Sequence, residues 1–205
     1  RKEWEFGGLG YEEITKTYAG TGRMRCRYFR LFGELEGKYT EWHYNGRIKK
    51  IVNYERGNVH GESTEWYPDG KLKRRFCYDK GIQHGQYRKW HTNGATELVC
   101  KMIHGKPNGF HITWYANGNL KTIQLYKNGL RQGIQTQWRE NGKIHVETSY
   151  ANGIHWGICK QWDTEGNLIY KWSNIDGEFD WSITYDDDGD LVEVIDPVSI
   201  WSNFE

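Results

Sequence analysis

Three prolines and two methionines in 205 residues leave the chain few breakers and few flexible fillers for an irregular core. The four cysteines, Cys26, Cys77, Cys100 and Cys159, form no Cys-x-x-Cys pair. That spacing excludes the short zinc and redox motifs and points to free thiols in a reducing compartment, the cytoplasm, rather than to a disulfide framework. No apolar run approaches the roughly 20 residues of a membrane-spanning helix, and no secretory signal is visible. Charge is also nearly absent in sum, at +1, so neither nucleic acid nor an anionic membrane surface gains a bulk attraction. No nucleic-acid partner is expected, and membrane attachment is disfavoured. Aliphatic residues are scarce, with hydrophobic types at 37%, yet aromatics reach 16% and glycines number 25. Such a chain has to build its core from rings and its turns from glycine. It begins at Arg1 rather than Met, which reads as a processed form or part of a longer protein.

The glycines and aromatics recur with a period of twenty-four residues. Gly37, Gly61, Gly85, Gly109, Gly133 and Gly157 open six copies without an insertion. Five residues into each stands a tryptophan: Trp42, Trp66, Trp90, Trp114, Trp138 and Trp162. A turn dipeptide follows at Asn45-Gly46, Asp69-Gly70, Asn93-Gly94, Asn117-Gly118, Asn141-Gly142 and Glu165-Gly166. An aliphatic comes two residues later (Ile48, Leu72, Leu120, Ile144, Leu168), with Thr96 the exception, and a second glycine turn falls at Gly57, Gly81, Gly105, Gly129, Gly153 and Gly177. A fixed short period of this kind defines a repeat array that forms one continuous body. Alternating β-formers with turn chemistry about every twelve residues predict a hairpin per copy.

Pro68 decides the loop length. In a two-residue loop it would sit in the ladder, where its missing N–H is needed. In a three-residue loop, Pro68-Asp69-Gly70, proline takes the first turn position and Gly70 the left-handed one. This register places Trp42 opposite Ile48, Trp66 opposite Leu72 and Trp138 opposite Ile144. It also sets Glu41 against Lys49, Glu65 against Lys73 and Lys89 against Glu97. Strict alternation then predicts one apolar face, carrying Trp66, Leu72, Phe76 and Tyr78 beside Trp42, Ile48, Val52 and Tyr54. The face of Glu65 and Lys73 is expected to be solvated. The expected fold is all-β: an elongated, single-layer, twisted antiparallel meander of stacked hairpins of about 24 residues, with the second glycine turn a similar tight loop.

The ends depart from the period. Residues 1–12 read as an N-terminal cap or partial copy, with Trp4 to Leu9 its last strand; residues 13–190 as about eight repeats; residues 191–205 as a C-terminal tail capping the edge or the aromatic face. Residues 176–205 hold ten Asp or Glu and no Lys or Arg, against sixteen basic and eleven acidic residues in 1–75. A polar end cap or a head-to-tail self-association accounts for that asymmetry.

The pattern Gly-x4-Trp-x2-Asn-Gly-x-Ile/Leu-x5-Tyr-x2-Gly-x3-Gly resembles the MORN-variant repeat over about residues 13–190. The chain departs from it at Thr96 and from Met102 to Gly109, where Tyr is replaced and Pro107 intrudes. The resemblance implies a scaffold or interaction module. Some members are antitoxin-like, others abound in large DNA viruses, and some have been proposed to touch lipid. It carries no catalytic residue across.

Other sites weigh little. His60 and His84 share a repeat position with Asn108, Gln132 and Trp156, which fits a structural role. His43, His91 and His111 are spread along the polar face, without the spacing of a zinc site. Asp186-Asp187-Asp188-Gly189-Asp190 lacks the remainder of a calcium loop, and Gly7-Gly8-Leu9-Gly10 lacks the Lys-Ser/Thr of a phosphate cradle. No catalytic, cofactor or metal residue is expected. The aromatic column of Trp42, Trp66, Trp90, Trp114, Trp138 and Trp162 is the candidate interaction groove, if it is not simply core. The expected function is a non-enzymatic β-repeat scaffold for protein partners. Alternatives are a structural component of a virus particle or other large assembly, an antitoxin-like inhibitor, and a membrane-surface module.

Overall fold

The computed structural model describes residues 10–196. It is all-β, with no helix among the described residues. The chain divides into two compact units, Arg1–Lys106 and Pro107–Glu205, and each is an antiparallel meander. Unit 1 runs β1 (Tyr11–Thr17), β2 (Met24–Leu31), β3 (Glu34–Trp42), β4 (Ile48–Glu55), β5 (Asn58–Trp66), β6 (Leu72–Asp79), β7 (Ile82–Trp90) and β8 (Thr96–Ile103). The two-residue β9 (Lys106–Pro107) falls at the division. Unit 2 runs β10 (Gly109–Trp114), β11 (Leu120–Lys127), β12 (Leu130–Trp138), β13 (Ile144–Ala151), β14 (Ile154–His155), β15 (Gly157–Trp162), β16 (Leu168–Ile175), β17 (Glu178–Tyr185) and β18 (Leu191–Ile195). In unit 1 each strand pairs with the next in sequence. Unit 2 does the same, with β14 and β15 sharing β13 as two halves of one long strand.

The first turn has three residues in the six copies opened by Gly37 to Gly157, whereas in the copy before them the Tyr18 N–H reaches the Arg23 carbonyl (2.8 Å) across four. Tyr67 N–H donates to the Lys71 carbonyl (2.8 Å), and Gly70 N–H to the Tyr67 carbonyl (2.9 Å). Gly70 has φ +95°, which glycine reaches without steric cost. Pro68 sits at the first loop position, as its fixed φ favours. The same two bonds recur at His43–Arg47, His91–Ala95, Tyr115–Asn119 and Arg139–Lys143. The second turn is tighter than the first. Glu55 pairs with Asn58 across two residues, and both Arg56 (φ 48°) and Gly57 (φ 77°) are left-handed. That is the primed hairpin turn whose twist matches the strands. Lys80, His104, Asn128, Asn152 and Asp176 hold the Arg56 place.

The expected pairs Trp42–Ile48, Trp66–Leu72 and Trp138–Ile144 all form. Thr96, the exception among the aliphatics, faces Trp90 in the same register. One residue further along, every copy carries a β-bulge. Glu65 pairs with Arg74, not with Lys73, which is the extra residue of the bulge. The Glu65–Arg74 ion pair is 2.8 Å, whereas Lys49 and Lys89 still reach Glu41 (2.8 Å) and Glu97 (2.6 Å) from bulged copies.

The bulge overturns the expected division of faces. Side chains of directly opposed residues share a face, and successive residues alternate. Ser63 opposes Phe76 and Gly61 opposes Tyr78. Trp66 lies three residues beyond Ser63 on one strand, so Trp66 and Phe76 point to opposite sides. Trp42 and Val52 are separated in the same way, because Tyr39 opposes Val52. The face expected to be solvated is the buried one: Val52 is 1% exposed, Phe76 5% and Cys100 6%. Tyr28 stacks on Tyr39 with centroids 5.7 Å apart, and Phe76 meets Tyr87 at 5.8 Å. Unit 2 buries Gln124, Thr148, Cys159 and Ser182 in its own equivalent row.

At the C-terminal end, β18 pairs with β17 and Leu191 opposes Tyr185, as each aliphatic opposes its Trp. The first five residues of the segment expected to cap the array therefore form a strand. Trp4 to Leu9 and residues 197–205 lie outside the described residues.

Candidate functional site

Within each unit the three tryptophans of the column share one face. Glu41, Lys50 and Glu65 are successive partners, and so are Glu65, Arg74 and Lys89. Trp42, Trp66 and Trp90 each follow one of these residues in its strand, so all three point the other way. In unit 2, Thr113, Thr122, Gln137, Val146 and Gln161 form the equivalent row, with Trp114, Trp138 and Trp162 opposite. All six indoles are half-buried.

The backbone of this column is held by hydrogen bonds that run one way along the chain. The side chain just after the Trp place, which Thr17 holds in the first copy, donates to the carbonyl of the Trp in the next copy. Tyr18 reaches Trp42 (2.7 Å), Tyr67 reaches Trp90 (2.8 Å), Tyr115 reaches Trp138 (2.8 Å) and Arg139 reaches Trp162 (2.8 Å); His43 Nε2 meets the Trp66 carbonyl at 3.0 Å. Turn cations add a second line: Arg23 to the Tyr44 carbonyl (3.0 Å), Lys71 to Thr92 (3.1 Å) and Lys143 to Glu165 (2.7 Å). The position after Trp alternates Tyr, His and Arg in the sequence, a donor signal that reading the Trp column alone overlooks. Asp163 breaks the line. Its carboxylate accepts the Gly166 and Asn167 N–H groups of its own turn instead. Asp186 does the same with Asp188 and Asp190.

Four residues before each Trp, on the same face, lies an outer row exposed in every copy. In unit 1 it is polar: Lys38, Glu62 and Gln86. In unit 2 it is apolar: Phe110, Ile134 and Ile158, exposed by 60%, 57% and 47%. Adjacent members lie two strands apart, roughly 10 Å. Trp181 continues the row four residues before Tyr185, with the Lys171 ammonium 5.6 Å from its ring. Near Phe110, a groove of about 490 Å³ is lined by Leu125, Tyr126, Lys127, Gln132 and Asn152 among others.

The remaining candidates are scattered or structural. His60 Nδ1 accepts the Lys80 N–H (3.4 Å), Glu36 accepts that of Arg56 (2.8 Å) and Asn108 that of Asn128 (3.4 Å). The shared repeat position thus holds the N–H of the second turn. His84 packs edge-on against His104 at 5.5 Å. His111 is on the buried face rather than a solvated one, and burial lowers its pKa. Cys26, Cys100 and Cys159 are buried free thiols, and burial pushes Cys100 up to about 11. Among the described residues no group of three His, Cys, Asp or Glu is placed to hold a metal ion. Of the glycine-rich stretch at the start, only Gly10 is described.

A meander of hairpins with a repeated bulge and an inter-copy hydrogen-bond line defines a β-hairpin repeat protein. Residues 35–56, 59–80, 108–128 and 131–152 each match the model of the MORN repeat variant, two segments in each unit. Such repeats are generally protein- or membrane-interaction modules and typically not enzymes. No curated protein matches the chain. Among solved structures, it is similar to a protein of unknown function from Bacteroides fragilis. That likeness is 10% identical, covers 92% of this chain and 95% of the other, and has a TM-score of 0.12, too loose a superposition to argue from.

Proposed function

We propose that this protein is a non-enzymatic β-repeat scaffold that binds a protein partner across the Trp face of unit 2. The observation that carries the reading is the outer row. Its position is exposed in every copy, yet it changes from Lys38, Glu62 and Gln86 to Phe110, Ile134 and Ile158 while the surrounding hairpin stays the same. Exposed side chains on a sheet face are ordinarily polar, and a run of exposed apolar ones marks an interaction surface. The half-buried indoles beside the row supply the large rigid rings that anchor interfaces.

The test is affinity capture from the native source with the wild type and with F110K/I134E/I158Q, which gives unit 2 the row of unit 1. The scaffold reading expects a stoichiometric partner with the wild type and its loss with the variant, while circular dichroism and melting stay unchanged. Equal recovery by both would overturn it.

A further inference from the structure

The chain contains seven Asn-Gly pairs, at Asn45, Asn93, Asn108, Asn117, Asn128, Asn141 and Asn152. Asn-Gly is the dipeptide most prone to spontaneous deamidation, because glycine has no side chain to keep its nitrogen from the asparagine Cγ. The repeat sets these identical dipeptides in two turn types with different restraints on the asparagine amide. The geometry points to Asn128 as the residue that deamidates first in the folded protein.

Most of the others are clamped. Asn45 donates from Nδ2 to the Pro68 carbonyl (2.7 Å) and accepts the Arg47 N–H at Oδ1 (3.1 Å). Asn117 is held at both ends too, by the Glu140 carbonyl (3.0 Å) and the Asn119 N–H (2.9 Å). Asn93 and Asn141 have Oδ1 held by the N–H two residues on, both at 3.0 Å. Asn108 Oδ1 faces the Asn128 N–H, and Asn152 Oδ1 accepts from Gln132 Nε2 (2.7 Å). Among the described residues the Asn128 side chain alone of the seven has no hydrogen bond, and it is exposed at the tip of the β11–β12 turn with φ 51°. The Gly129 N–H donates to the Pro107 carbonyl (2.9 Å), but the glycine N–H groups after Asn45, Asn93, Asn117, Asn141 and Asn152 are bonded in the same way, so what sets Asn128 apart from these is a side chain free to rotate.

The step is balanced by water alone. The Gly129 backbone nitrogen attacks Cγ of Asn128, loses its proton to solvent, and expels the side-chain nitrogen as ammonia, closing a succinimide. Water then opens either carbonyl to give aspartate or isoaspartate at 128. Aspartate is tolerated there, since Asp176 holds the same left-handed place in its own turn. Isoaspartate lengthens the backbone by one carbon and breaks the two-residue turn. Either product sets a carboxylate beside the groove of Asn108, Lys127 and Gln132.

The experiment ages the full chain at mildly alkaline pH and follows each Asn-Gly pair by peptide mapping and mass spectrometry, with isoaspartate counted by enzymatic methylation. Asn128 is expected to convert several-fold faster than Asn45 and Asn117 in the folded chain, and all seven at similar rates in denaturant. A second arm uses Gln132→Ala, which frees Asn152 and is expected to raise its rate toward that of Asn128. Equal folded-state rates at Asn128 and Asn45, or no change at Asn152 in Gln132→Ala, would overturn the assignment.

Discussion

At the residue scale, two kinds of side chain sit where their chemistry is strained. The first is His111, opposite the buried Gln124 and beside Tyr126 at 5.8 Å, with its pKa lowered by burial. Above about pH 6.5 the ring is neutral in both folded and unfolded chains. As pH falls below that value the unfolded chain takes the proton first, so stability declines until the folded ring protonates as well. His145, lowered by burial and then by Arg139, acts in the same direction. The denaturant midpoint of the wild type is therefore expected to drop between pH 7.5 and 5.5, a range set at about one unit either side of the usual His value. His111→Gln should lose part of that drop. The second kind is the non-glycine residue in a left-handed turn. Lys80 holds φ 47° where Asn128 and Asn152 hold the same place in later copies. Asparagine tolerates that region better, so Lys80→Asn is expected to raise stability by about 1 kcal/mol or less, read from urea unfolding.

At the element scale, the hairpin was legible and its faces were not. Pro68 and the glycines fix the three-residue loop, because proline's missing N–H and glycine's left-handed φ leave one register for both. The Trp–aliphatic pairs follow directly. The bulge is not written in the alternation of polar and apolar residues, since Leu72-Lys73-Arg74 and Ile48-Lys49-Lys50 read as ordinary strand. One extra residue reverses every side chain beyond it. The buried row combines the position two residues after the opening glycine (Tyr39, Ser63, Tyr87, His111, Gln135, Cys159), which is mostly polar, with its partners Val52, Phe76, Cys100, Gln124 and Thr148, and Val52 and Phe76 read as belonging to the Trp face when the bulge is not seen. The type I′ second turn was likewise hidden, although Asn128-Gly129 and Asn152-Gly153 spell it, because earlier copies have Arg56 and Lys80 there. A paired substitution on β4 tests the bulge. Ile48 and Val52 lie four residues apart and would share a face in an unbroken strand, yet Ile48 is 38% exposed and Val52 1%. Val52→Asp buries an unpaired carboxyl among Tyr39, Ser63 and Tyr54 and is expected to cost several times more than Ile48→Asp, or to abolish folding. Equal costs in chemical denaturation would contradict the bulged register.

At the scale of the whole molecule, each unit runs the same hairpin plan and differs in what it shows to solvent. The candidate column of tryptophans was read from the period and lies on one face within each unit, but half-buried and bonded through its carbonyls into the fold. The outer row beside it went unread because it is visible only when copies are compared position by position rather than for what they share. Asp163 and Asp186, which turn their carboxylates into their own loops, end the forward hydrogen-bond line. The outer row of the Trp face is the proposed docking surface. Its most direct measurement is a reciprocal exchange: a chain carrying Phe, Ile and Ile at positions 38, 62 and 86, and Lys, Glu and Gln at 110, 134 and 158, with partner protection mapped by hydroxyl-radical footprinting. The account predicts that the footprint moves from unit 2 to unit 1 with the apolar row, while a footprint that stays on unit 2 would contradict it.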